Sequence, residues 1–109
     1  MPIPRRGEAW LIDFGLAGKT RPALVVSVAF GDQDRSLITV LPHTTSLRGS
    51  PFEITLPVPF LKPGAFLVQG VTTFPTVKAL HQLGTLQSQA FDKVLGGLLD
   101  WLGYFREQA

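Results

Sequence analysis

A proline heads the most apolar run of the chain, and this narrows what the chain can fold into. Arg21-Pro22 opens a segment that reaches Phe30 and contains Ala-Leu-Val-Val-Ser-Val. Its β-branched, nearly continuous apolar character predicts a strand buried on both faces. Pro22 lacks an N–H, so it belongs at a strand start or edge. It also drives Arg21 into an extended conformation. A cation is thereby fixed at the head of a buried strand.

The rest of the chain reads as short strands broken by turn residues. Ala9 to Phe14 predicts a first strand and Gly15 to Thr20 a loop. After a turn at Gly31-Asp32-Gln33-Asp34, Ser36 to Leu41 predicts a third strand in a hairpin with the second. Pro42 to Pro51 reads as a polar loop, and Phe52 to Leu56 alternates as a half-buried strand. Pro57, Pro59 and Pro63-Gly64 break the chain into irregular structure before a fifth strand, Ala65 to Val68. Val71 to Val77 carries no decisive pattern, and His81 to Leu86 predicts a short last strand. With Ser88 as N-cap, Phe91, Val94, Leu95, Leu98, Leu102 and Phe105 then fall at helical spacing, predicting an amphipathic helix from Gln89 to Arg106. Gly96-Gly97 weakens that helix by about 1 kcal/mol per residue and permits close approach of another backbone. The expected fold class is mainly β with a C-terminal helix, a small barrel closed by the helix. At 109 residues the chain is expected to form one domain over residues 1–109, too short for two cores.

Composition limits the function classes. A hydrophobic fraction of 45% against 17% charged favours a packed globule, and eight Phe with two Trp suggest a subunit interface. The net charge of +2 permits an acidic partner or RNA, without the Lys/Arg blocks of a non-specific nucleic-acid tail. The absence of Cys removes disulfides and thiolate chemistry and fits a reducing, cytoplasmic compartment. Arg5 and Arg6 are followed by no signal-like apolar stretch, and no run is long enough to span a bilayer.

His43 and His81 have no partner at ligand spacing, so neither a metal nor a cofactor is expected. Nucleophile-elbow and phosphate-loop patterns are missing. What remains is a set of cations and hydroxyls beside strand ends: Gly18-Lys19-Thr20-Arg21 before the second strand and His43-Thr44-Thr45-Ser46 after the third. A hairpin of those strands brings Arg21 and Thr44 together at one rim. A guanidinium fork beside a hydroxyl suits a phosphodiester, whose oxygens it can bind in pairs. The competing arrangement pairs Arg21 with Glu8 or Asp13. Lys19 and Arg48 are solvated loop charges or contacts to RNA phosphate, and Thr45 and Ser46 bind RNA or satisfy turn backbone. Trp10, Phe14 and Phe52 either stack bases or belong to core and interface. Trp101, Tyr104 and Phe105 are available to a partner. His43 has the pKa of a general base, but it adjoins Thr44, and neighbours in an extended segment face opposite sides.

Four segments in register resemble the MazF/PemK family of toxin endoribonucleases: Gly7-Glu8-Ala9-Trp10-Leu11-Ile12-Asp13-Phe14, Arg21-Pro22-Ala23-Leu24-Val25-Val26, Leu41-Pro42-His43-Thr44-Thr45-Ser46, and Gly49-Ser50-Pro51-Phe52-Glu53-Ile54. The resemblance implies an SH3-like barrel that forms a homodimer. It also implies metal-independent cleavage of single-stranded RNA, restrained by a cognate antitoxin whose disordered C-terminal part lies across the toxin dimer. By position Arg21 and Thr44 become the catalytic residues. The implied chemistry is attack by the RNA 2′-hydroxyl, leaving a 2′,3′-cyclic phosphate and a 5′-hydroxyl. Two departures stand out. The loop before Arg21 is short and lacks the family's acid, and Gln69-Gly70 occupies the place of a frequent Asp-Gln pair. Two other readings remain: a non-catalytic SH3-like barrel that binds protein or RNA, and a same-fold toxin acting on a protein such as gyrase.

Overall fold

Successive side chains of a strand point to opposite faces, and the central strands of this protein bury both. The computed structural model describes residues 2–15 and 19–104. Its strands are β1 (Glu8–Asp13), β2 (Thr20–Val25), β3 (Leu37–Thr44), β4 (Glu53–Thr55), β5 (Ala65–Leu67), β6 (Thr72–Pro75) and β7 (Ala79–Thr85), followed by one helix, α1 (Ser88–Trp101). The sheet runs β4-β5-β3-β2-β1-β7, with β6 also paired to β3. It is barrel-like but open: among the described residues no pairing joins β4 to β7. On one face Leu24, Val26, Leu41, Phe66 and Val68 pack with Phe91, Val94 and Leu98 of the helix. On the other, Ala23 and Val25 pack with Trp10, Ile12, Ile38, Val40 and Ala79. The mainly β architecture with a C-terminal helix and the doubly buried second strand are as the sequence predicts. The helix is too short and too polar to cross a membrane.

β3 organises the sheet. One edge pairs with β2, from Ala23↔Pro42 to Val25↔Val40. The other edge is divided: Leu37 to Val40 pairs with β6, and His43-Thr44 pairs with β5. The expected loop from Pro42 to Pro51 therefore begins later, after Thr44. Pro42 is tolerated inside the strand for a geometric reason. The Val26 N–H donates to the Thr39 carbonyl at 2.9 Å, and antiparallel bonds recur at every second pair. Leu41 therefore bonds toward β2, and the nitrogen of Pro42 points to the other edge. There a 3-10 turn, Val68–Gly70, fills the gap between β5 and β6. A missing N–H costs no ladder bond in that gap. Gly70 lies so close that a Cβ on it would stand 2.7 Å from Pro42 Cγ.

The same alternation explains Pro22. It sits inside β2, opposite Leu11 of β1, rather than at a strand start or sheet edge. The next bonded pair toward β3 would join Pro22 to His43, and proline has no N–H to give. The β2–β3 pairing accordingly ends at Ala23↔Pro42.

Several boundaries differ from expectation. β2 stops at Val25 rather than Phe30, because Ser27 Oγ takes the Thr39 N–H at 3.0 Å in place of a ladder carbonyl. Val28 beyond it is exposed. The segment Val71 to Val77 contains β6, β4 is shorter at both ends, and β7 starts at Ala79 rather than His81. Gln87, not Ser88, is the N-cap, and it makes no side-chain capping bond. The helix ends at Trp101, short of Arg106. Gly103, at φ 78°, donates to Asp100 O at 3.1 Å, and the Tyr104 N–H donates to Leu99 O at 2.9 Å. This is the Schellman ending that a glycine in the left-handed region allows. Leu102 is consequently exposed instead of joining the core, while Phe105 and Arg106 lie outside the described residues. The close approach at Gly97 is to the side chain of Ile54, whose Cδ1 would lie 2.5 Å from an added Cβ, and not to a backbone.

Gly64 makes the tightest backbone approach. An added Cβ would stand 2.2 Å from the Thr44 carbonyl oxygen and 2.8 Å from His43 Cε1. Gly64→Ala is expected to destabilise the fold by about 3 kcal/mol, at the upper end for overpacking, because backbone must move. Urea unfolding measures this loss.

Candidate functional site

The β2–β3 ladder ends at Ala23↔Pro42, and Arg21 and Thr44 lie two residues beyond it at the same end of the two strands. Both fall on the face of Ala23, Val25 and Val40. Arg21 is exposed and Thr44 half-buried. The Arg21 guanidinium lies over the Phe14 ring, 5.8 Å from its centroid, and Phe14 meets Phe74 edge-on at 5.0 Å. Pairing of Arg21 with Glu8 or Asp13 is not what forms. Glu8 Oε1 accepts the Arg5 N–H at 2.8 Å and Trp10 Nε1 at 3.0 Å. Asp13 accepts the Gly15 N–H at 2.9 Å and faces Lys78 Nζ at 3.9 Å. Among the described residues Arg21 forms no ion pair, so its charge is open to an anion.

The other expected contacts gather at the same end of the strand pair. Lys19 is exposed just before β2 at φ 55°, in the left-handed region. Its N–H donates to Gly15 O, and its carbonyl accepts from the Phe14 N–H, both at 2.8 Å. Residues 16–18 between them lie outside the described residues, so the shortened loop is seen only at its two ends. After β3, Thr45, Ser46 and Arg48 are exposed. Thr44 Oγ1 accepts the Ser46 N–H at 3.0 Å. Gln69 is exposed beside Gly70 and hence near Pro42.

The aromatic alternatives separate cleanly. Trp10 is core. Phe14 is covered on one side by Arg21 and at its edge by Phe74. Phe52 meets Trp101 edge-on at 5.0 Å. His43 is 7% exposed and packs edge-on against Phe66 at 5.1 Å, toward the helix-side core and away from Thr44. Burial holds its pKa below the ordinary value of 6.5 because the charged form loses hydration. Among the described residues no three His, Asp or Glu side chains gather as a metal site. A mostly apolar concavity of about 780 Å³ lies elsewhere, between the Pro57–Pro63 segment and the start of α1. Sequence reasoning missed Glu53, whose carboxylate holds the loop after β3. The Ser50-Pro51-Phe52-Glu53 spacing, that of a capping box, was its signal.

Fold and rim together define a class: a small barrel-like β protein that presents cations and hydroxyls at the unpaired end of two strands. The sequence model of the family described as PemK-like, MazF-like toxin of type II toxin–antitoxin system matches residues 5–102. The chain belongs to that family. No curated protein sequence matches it significantly. Among solved structures, the MazE–MazF complex from Deinococcus radiodurans (Form-II) is 29% identical, with a TM-score of 0.78, covering 94% of this chain and 98% of that one. MazF alone from the same organism is 29% identical, with a TM-score of 0.78 and coverage of 94% and 99%. An endoribonuclease in complex with its cognate antitoxin, from Mycobacterial species, shares the fold at a TM-score of 0.82 and 20% identity, covering 95% and 99%.

His43 generates a pH prediction. The unfolded chain protonates His43 near 6.5, and the folded chain only at lower pH. Stability is therefore full above that value and falls as pH drops below it. The urea midpoint should fall between about pH 7.5 and about pH 5.5, and His43→Gln should flatten that slope. An equal drop in both proteins would assign the proton elsewhere.

Proposed function

We propose that this protein is the toxin of a type II toxin–antitoxin pair and cleaves single-stranded RNA, chiefly mRNA, in the cytoplasm. It would act as a homodimer of this single domain and be restrained by a cognate antitoxin. The observation that carries the reading is Arg21: an exposed guanidinium with no carboxylate partner among the described residues, resting on Phe14. Family membership supports it, as does the nuclease named in a structural neighbour.

In the proposed reaction the RNA 2′-oxygen attacks the adjacent phosphorus and loses its proton. The bond to the 5′-oxygen breaks, and that oxygen takes up a proton. The products are a 2′,3′-cyclic phosphate and a 5′-hydroxyl. Negative charge grows on the non-bridging oxygens. Arg21 stabilises it through paired N–H donors, and Thr44 Oγ1 adds a hydrogen bond. The guanidinium stays protonated at neutral pH, so Arg21 acts by charge and not as the base. His43, buried on the other face, is not the base either. Lys19 and Arg48 contact flanking phosphates, and Thr45 and Ser46 contact the RNA beside them.

Inducible expression should arrest growth and produce RNA fragments with 5′-hydroxyl ends. Arg21→Ala should lower the cleavage rate at least about 10²-fold, the scale of losing one preorganised charge-stabilising donor. Thr44→Val should cost about tenfold. A substrate carrying 2′-deoxyribose at the scissile position should stay intact, and cutting there would exclude 2′-hydroxyl attack. Arrest with intact RNA would instead indicate a protein target, and no arrest a binding module. With Arg21, Lys19 and Arg48 on phosphates, the affinity for single-stranded RNA should fall with log salt at a slope of about −2 per protomer.

A further inference from the structure

The loop after β3 is tied down by side-chain oxygens at every second residue. The Ser46 N–H donates to Thr44 Oγ1 at 3.0 Å. Arg48 N–H donates to both Glu53 carboxylate oxygens at 3.0 Å, and Ser50 N–H to Oε1 at 3.1 Å. Phe52 N–H then donates to Ser50 Oγ at 3.1 Å, and Glu53 N–H to the Ser50 carbonyl at 3.1 Å. Between the two N–H groups held by the carboxylate lies Gly49 at φ 78°, a conformation glycine adopts without steric cost. The turn of residues 48–50 thus wraps one anionic group, and charge-assisted bonds of this kind are stronger than neutral ones. The side chains of Thr45, Ser46, Leu47 and Arg48 are left exposed.

The Glu53 lone pairs are directed onto the backbone donors of the turn and not toward solvent-facing side chains. We infer that Glu53 is a positioning residue for RNA binding, ordering the Arg48 turn before the substrate arrives. A loop already ordered loses less conformational freedom when it binds. This role rests on the RNA-binding reading above.

The test uses the full chain with Glu53→Gln, Arg48→Ala and the double variant. The probe is an unstructured, fully 2′-O-methylated RNA oligonucleotide of mixed sequence, which binds without being cut. In Glu53→Gln the Arg48 and Ser50 amides should exchange about tenfold faster, while the Val25 and Leu41 amides keep the parent's protection. Affinity for the probe should fall about tenfold. Arg48→Ala should add little in the Glu53→Gln background, since both act through one turn. Unchanged amide exchange, unchanged affinity, or fully additive losses would each overturn the inference while leaving the nuclease reading intact. A parent protein that cuts no RNA yet binds the probe loses the nuclease reading alone. One that does neither removes both.

Discussion

The structure depends on β3 being shared. One of its edges belongs to β2, and the other is handed from β6 to β5 partway along. A strand with partners on both sides and cores on both faces has little freedom of register, because a shift by one residue would turn every apolar side chain to the wrong face. Leu41 and Val40 show the constraint: one packs toward the helix and its neighbour toward Trp10 and Ile12. The place of Thr44 beside the rim follows from that fixed register.

On this frame the rim gathers cations and keeps the nearby carboxylates occupied. Asp13 and Glu53 each accept backbone donors of their own, while Glu8 lies at the other end of β1. Arg21 is steadied by an aromatic face instead of an acid, which holds a guanidinium without neutralising it. The apolar concavity beside α1 lies apart from this surface. A single-stranded polyanion suits an open, charged rim, where backbone contacts and not enclosure supply the affinity.

Much of the fold was legible because it is carried by local pattern. The short apolar run of residues 9–14, the apolar run after Pro22 and the helical spacing from Phe91 to Leu98 each predicted their element. The errors arose where a tertiary partner outweighed a local rule. Pro42 reads as a strand breaker, and only the gap at Val68–Gly70 makes it harmless. Ser27 ends β2 through a bond to a residue 12 positions away, a spacing that no turn rule anticipates. Gly103 was a local signal, passed over because the apolar spacing ran on through Leu102 and Phe105. That Arg21 and Thr44 share one end of the strand pair was legible, since it follows from the hairpin alone. The freedom of Arg21 from Glu8 and Asp13 was not, since it depends on what else those carboxylates bind. Glu53 was marked by its spacing from Ser50, but its bond to the more distant Arg48 N–H was not.

The proline at position 22 has a wider meaning in this setting. Two strands that should continue to zip together cannot, since one of them has no hydrogen to offer at the next rung. The parted end is therefore a property of covalent bonds, independent of salt, pH or ligand. The turn held by Glu53 is different, because it rests on hydrogen bonds to a single side chain. The rim thus combines one permanent component with one conditional component. The opening beside Arg21 is set by the backbone of two strands, whereas the Arg48 turn depends on one carboxylate.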